Sequence, residues 1–145
     1  MAILFATIGG EYLIFAHIGF NLVLFLIGLK LAVLIHEFGH LLFARLVGGT
    51  PRRMILGKGH KVAETKFKGV KVILNSNLNS GLAYAAFDSL KFIRGKLMLY
   101  TSGGFLTNFF VAGLVFILFQ FSTEVSSGIQ LATILAITNI IIGIF

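Results

Sequence analysis

The sequence predicts an all-α, multi-pass membrane protein with about three transmembrane helices and a small β-containing loop on the cytoplasmic side. Three observations predict it. First, 57% of the 145 residues are hydrophobic and only 12% are charged, a balance that belongs to a membrane protein and leaves room for one membrane domain, residues 1–145. Second, the apolar residues lie in long runs, at about 12–47, 97–119 and 129–145, each of a length that matters for crossing a hydrocarbon core. Third, eleven of the twelve Lys and Arg fall between residues 45 and 96, which is the positive-inside pattern. That pattern puts the N-terminus outside and the 48–96 segment on the cytoplasmic or equivalent side. A formal charge of +7 by itself would fit a nucleic-acid binder, but its confinement between apolar runs points to the lipid bilayer and away from nucleic acid. There is no Cys, so disulfides and thiolate metal ligands are excluded.

Segment 1–19 is apolar and lacks the basic start of a secretory signal peptide; it reads as an interfacial or re-entrant piece. From Tyr12 to Val47 the apolar run spans about 54 Å as one helix, longer than a core of about 30 Å. A long or kinked helix is expected, with its inner part at 20–47. Within that part Asn21, Gly28, Ala32, His36, Gly39, His40 and Phe43 share about a third of a turn at about 100° per residue, a small and polar face suited to close packing in lipid. Lys30 is expected to snorkel outward, and His17 to sit at the outer interface.

Gly48-Gly49-Thr50-Pro51 should stop this helix. The basic loop 48–96 then reads as two or three short strands, at Met54-Ile55-Leu56 and Val62 to Leu74 with a turn at Gly69, followed by a polar turn from Asn75 to Ser80. An exposed strand edge there can hold an extended peptide, and the basic residues can lie at anionic headgroups. His60 and Glu64 are expected to be solvated. The second helix, 97–120, presents Gly104, Thr107, Asn108, Val111 and Val115 on one face. Residues 121–128 read as an outside loop with one acid, Glu124, and 128–145 as a third, incomplete helix.

The chemistry lies in His36-Glu37-Phe38-Gly39-His40. Residues four apart on a helix lie on one face, about 6 Å apart along the axis, so both imidazoles can reach one cation. Glu37 then stands beside it, placed to take a proton from a metal-bound water. In a soluble helix such spacing is often only surface polarity. At membrane depth a charged side chain costs about 2.5–3.5 kcal/mol, so these groups point to function. Asn108, an amide in an apolar helix, serves either as a hydrogen-bonding link between helices or as a donor to substrate or transition state.

HEFGH, followed by Ala44-Arg45 and Gly48-Gly49, resembles the site-2 protease family of intramembrane zinc metalloproteases. The resemblance covers about residues 20–145. Gly104 and Asn108 are similar to the family's second motif, with Phe105 where a Pro is usual, and Gly57-Lys58-Gly59 looks like a turn in the family's β-rich loop. The family's third zinc ligand is an Asp in a Leu-Asp-Gly motif after an Asn-x-x-Pro segment. Leu135 to Phe145 looks like the lead-in to that segment, which this sequence does not contain; Asp88, in the basic loop, has no neighbours that mark it as a replacement.

The resemblance implies a zinc endopeptidase that hydrolyses peptide bonds in or near transmembrane segments of other proteins. His36 and His40 would bind Zn²⁺, Glu37 would activate water, and Asn108 would support substrate or transition state. The partners would be a membrane-protein or membrane-bound peptide substrate and the bilayer. The absent third ligand leaves two cases: the N-terminal part of a longer protease, or a shortened homologue. In the second case the chain would be a catalytically incomplete homologue, a structural or binding subunit of a larger membrane complex.

Overall fold

The computed structural model describes the backbone of residues 2–120 and 126–144, and the side chains of 15–118 and 133–144. Chain order is α1 (Ala2–Leu46), β1 (Thr50–Phe67), β2 (Val70–Ala86), α2 (Ile93–Gln120) and α3 (Ser126–Ile144). The loop expected around Glu124 lies outside the described residues.

α1 is one helix of 45 residues, so the N-terminal segment continues into the metal-motif helix without a re-entrant reversal. It stops where the sequence supplies a left-handed residue. Gly48 has φ +78°, and the Gly49 and Gly48 amides donate to the Ala44 and Arg45 carbonyls at 2.8 and 3.2 Å. These are the two bonds of a Schellman cap, and Pro51, the only proline, follows within three residues.

The all-α class is wrong. Residues between α1 and α2 form an antiparallel hairpin whose strands are 18 and 17 residues long, far longer than the short strands expected. The Asn75–Ser80 stretch is continuous with β2 and does turn the chain: Lys71–Leu74 and Gly81–Tyr84 flank Arg53–Leu56 on its two sides, the first running with it and the second against it. There Asn75 Nδ2 donates to the Gly57 carbonyl at 3.0 Å and Ser76 Oγ to the Lys58 carbonyl at 3.4 Å, so the polar side chains of the turn tie β2 to β1 where both reverse. Gly57 and Gly59, at φ +88° and +92°, lie where β1 reverses as well, since Arg53–Leu56 runs with Lys71–Leu74 and Ala63–Phe67 runs against it. The turn between β1 and β2 is Lys68-Gly69, where both residues have positive φ, as a two-residue hairpin connection requires.

The hairpin is folded on itself. Arg53–Leu56 is opposite Tyr84–Gly81 on one side and Lys71–Leu74 on the other, and the outer half of β1, Ala63–Phe67, closes on Leu74–Val70. Backbone groups are thereby paired within the segment, which any chain near hydrocarbon requires. Leu41 of α1 is buried with Met54 and Ala83 of the sheet, and this cluster seats the hairpin on the helix.

Of the three spans expected, the described residues show two. Among the described residues two helical stretches, Phe15–Leu46 and Ile93–Leu118, are long and apolar enough to cross a membrane; the described part of α3, Thr133–Ile144, is shorter. The three helices meet through small residues. A Cβ on Gly39 would strike the Gly103 carbonyl and Thr107, one on Gly103 would strike Phe43, and one on Gly28 would press on Thr138. Ala32 and Ala44 are fully buried. With no hydrophobic force between helices in lipid, such backbone proximity is what supplies packing.

Candidate metal centre

α1 carries His36, Glu37 and His40 in its middle-to-late turns, and α2 and β2 close around them. The rings of His36 and His40 stand edge to face with centroids 4.8 Å apart, as the i, i+4 spacing expects. His40 Nδ1 lies 2.8 Å from the Tyr100 carbonyl oxygen. A carbonyl only accepts, so Nδ1 carries the proton and donates, and Nε2 is left with its lone pair free. A backbone carbonyl holding the second nitrogen is a common way to orient a metal-ligating imidazole. Tyr100 also donates its Oη–H to the Ala83 carbonyl at 2.6 Å, and so joins α2 to β2 beside the site.

His36 is held by an absence. Gly104 of α2 lies flat against the ring, and a Cβ there would collide with its Nε2 edge. Its Nδ1 is buried and has no hydrogen-bond partner. Glu37 is 6% exposed; Gly81 of β2 packs on its carboxyl, where a Cβ would collide, and Oε2 is buried without a partner. Buried polar atoms are nearly always satisfied, and leaving one unpaired is costly. An unpaired carboxyl oxygen and an unpaired imidazole nitrogen on neighbouring residues fit a site meant for a cation.

His36 and Glu37 line a cavity of about 200 Å³ with Val33, Asn79, Ser80, Gly81 and Ile142. One wall is therefore the Asn79–Gly81 part of β2, and the Gly81–Ala86 half that follows pairs with β1 on one side and has no strand partner on the other. Lys30 does not run outward along α1: its Nζ donates to Asn79 Oδ1 at 3.1 Å, at the rim of this cavity. Asn108 is fully buried one turn beyond Gly104, and both its amide atoms lack partners. It faces α3, where a Cβ on Gly143 would sit 3.5 Å from the Asn108 Cβ. Nearby on α3, Asn139 donates to the Leu135 carbonyl at 2.8 Å while its Oδ1 stays unpaired.

The other candidates fall elsewhere. His17 and His60 are exposed, Asp88 is exposed in the β2–α2 connection, and Glu64 is ion-paired to Lys61 and Lys71. No group of three His, Cys, Asp or Glu able to hold a metal exists among the described residues. Among the described residues the donor set thus fits two positions of a zinc shell. Sequence reasoning did not find Tyr100, Gly81 or Asn79. Tyr100 lies four residues before Gly104, on the same face, and that spacing was the available signal.

Two neighbouring imidazoles on one helix with a buried carboxyl beside them, in a chain with helices long and apolar enough to cross a membrane, suit a membrane metallopeptidase. A family model described as Peptidase family M50 matches residues 24–145, and the chain belongs to that family, the site-2 proteases. Comparison with curated proteins finds no match to the chain.

Proposed function

We propose that this chain is an intramembrane zinc endopeptidase acting on peptide bonds in or near transmembrane segments of other membrane proteins. The observation that carries this is the unpartnered, buried Glu37 carboxyl beside the His36–His40 pair, in a cavity walled in part by β2. His36 and His40 would hold the zinc, which supplies Lewis acidity and an acidified water. Glu37 takes a proton at its free Oε2 and returns it to the leaving amine. The substrate lies extended along the free edge of β2 near Gly81, adding its own backbone hydrogen bonds as a strand. Asn108 supplies an amide toward substrate or transition state. Basic residues 45–96 lie on the cytoplasmic or equivalent side, with the N-terminus outside.

The test is hydrolysis of a membrane-inserted substrate by the chain in liposomes, with Glu37→Gln compared to the unaltered protein. The variant should keep its metal and lose cleavage by about a hundredfold or more. Unchanged cleavage would remove Glu37 from the role of base. The third-ligand shortfall among the described residues favours a second reading, a structural or binding subunit of a larger membrane complex. That reading requires the unaltered chain to show no cleavage under the same conditions.

A further inference from the structure

At the inner end of α1 the hairpin turn folds back against the helix, and two adjoining cavities lie between them. One, of about 260 Å³, is walled by Phe38, Leu41, Leu42, Met54, Val70 and Val72. The other, of about 280 Å³, is walled by the Gly49-Thr50-Pro51 chain and by Arg45, Arg52 and Lys68. The two share Arg45, Pro51, Lys68 and Val70, so an apolar chamber opens directly into a basic one. Lys68 reaches this place because it and Gly69 both have positive φ, 46° and 87°, which reverses the chain within two residues and returns the turn to α1.

No acid lines either chamber. Among the described residues the ion pairs are those of Glu64 with Lys61 and Lys71, so Arg45, Arg52 and Lys68 line one space with no carboxylate paired to them, Lys68 Nζ lying 5.6 Å from the centre of the Phe67 ring. Three cations around one space repel unless an anion joins them, and guanidinium groups match phosphate oxygens well. The membrane-crossing stretch of α1 ends at Leu46, which puts these cations at headgroup depth and the apolar chamber beside the acyl chains. Phe38 is 55% exposed at the lip of that chamber, on a side of α1 open to lipid.

We infer that this is a binding site for one anionic phospholipid. Its phosphate is held by Arg45, Arg52 and Lys68, and the first part of an acyl chain lies in the chamber between α1 and the hairpin. A free phosphate would leave the apolar half empty, and a zwitterionic lipid would leave the cations uncompensated. The inference stands apart from peptide hydrolysis and uses none of its residues.

The test is native mass spectrometry of the full chain in mild detergent, with phosphatidylglycerol and phosphatidylcholine of equal chain length added together. The unaltered protein should retain one phosphatidylglycerol in preference to phosphatidylcholine by about tenfold or more, given three nearby cations. Arg45→Gln, Arg52→Gln and Lys68→Gln combined should abolish the preference. Lys58→Gln, Lys66→Gln and Arg94→Gln combined, which remove the same charge from positions that line neither chamber, should keep it. Equal retention of the two lipids by the unaltered protein overturns the site without reference to any variant's folding. Displacement of phosphatidylglycerol by excess inorganic phosphate also overturns it, because the site would then take phosphate alone.

Discussion

Gly81 of β2 lies so close to Glu37 that even a methyl group on it would collide with the carboxyl. The strand edge and the proposed base are therefore fixed relative to each other by the lack of a side chain. Gly81→Ala should leave the helices folded, since the residue stands at one edge of the sheet. It should displace the Glu37 carboxyl and lower cleavage by about tenfold to a hundredfold, the usual consequence of misplacing a reacting group by an ångström. Cleavage rate alongside far-ultraviolet circular dichroism checks this; full activity with native helicity would mean that Glu37 does not need its place against β2.

Tyr100 separates two roles in one residue. Its carbonyl accepts from His40 and its hydroxyl donates to Ala83. Tyr100→Phe keeps the first bond and loses the second, so thermal unfolding in detergent should show a loss of about 1 kcal/mol while zinc affinity stays within a few-fold. A large loss of zinc affinity would show that the hydroxyl, through β2, governs the imidazole as well.

The helix contacts make a paired expectation. Gly39→Ala would drive a methyl group into the Gly103 carbonyl and Thr107, and should destabilise the chain by about 1–3 kcal/mol, with α1 and α2 forced apart. Nothing lies within 4 Å of a Cβ on Gly19, so Gly19→Ala should be tolerated. Equal melting temperatures for the two variants would contradict the close approach of α1 and α2 at Gly39.

Glu64 gives the pH expectation. Hydrogen bonds from Lys71 at 2.7 Å and Lys61 at 2.9 Å hold its carboxyl down from 4.5 to about 2. A carboxyl depressed by folding contributes stability that is present above its unfolded value of 4.5 and is lost as pH falls toward 2. Glu64 should therefore stay ionised and paired across about pH 5–8 and release its two lysines only in acid, with little effect on the stability of the hairpin because the pairs are exposed. A carboxyl titration followed by nuclear magnetic resonance, with a midpoint near 4.5, would mean the two lysines do not engage it.

The juxtaposition of His36 and His40 was legible in the sequence because its signal is local. The His36–His40 spacing sets one helix face whatever the rest of the chain does, and the apolar runs mark where α1 and α2 lie. The hairpin was only partly legible. Asn75 to Ser80 has the composition of a turn and does reverse the chain, but nothing near it in sequence says that β1 reverses beside it or that Asn75 and Ser76 will bond to carbonyls 18 residues away. Lys30 was read from its own helix, whereas its partner Asn79 comes from β2. Tyr100 and Gly81 were missed because one acts through a main-chain carbonyl and the other through having no side chain, and neither leaves a pattern in residue type.

The most direct measurement is the zinc content of the purified full chain, determined together with that of His40→Ala. If His36 and His40 are ligands, the unaltered chain should carry about one zinc, the stoichiometry of a single catalytic site, and His40→Ala should lose it. An unaltered chain that binds no zinc, or a His40→Ala chain that binds as much as the original, would contradict the metal centre proposed here.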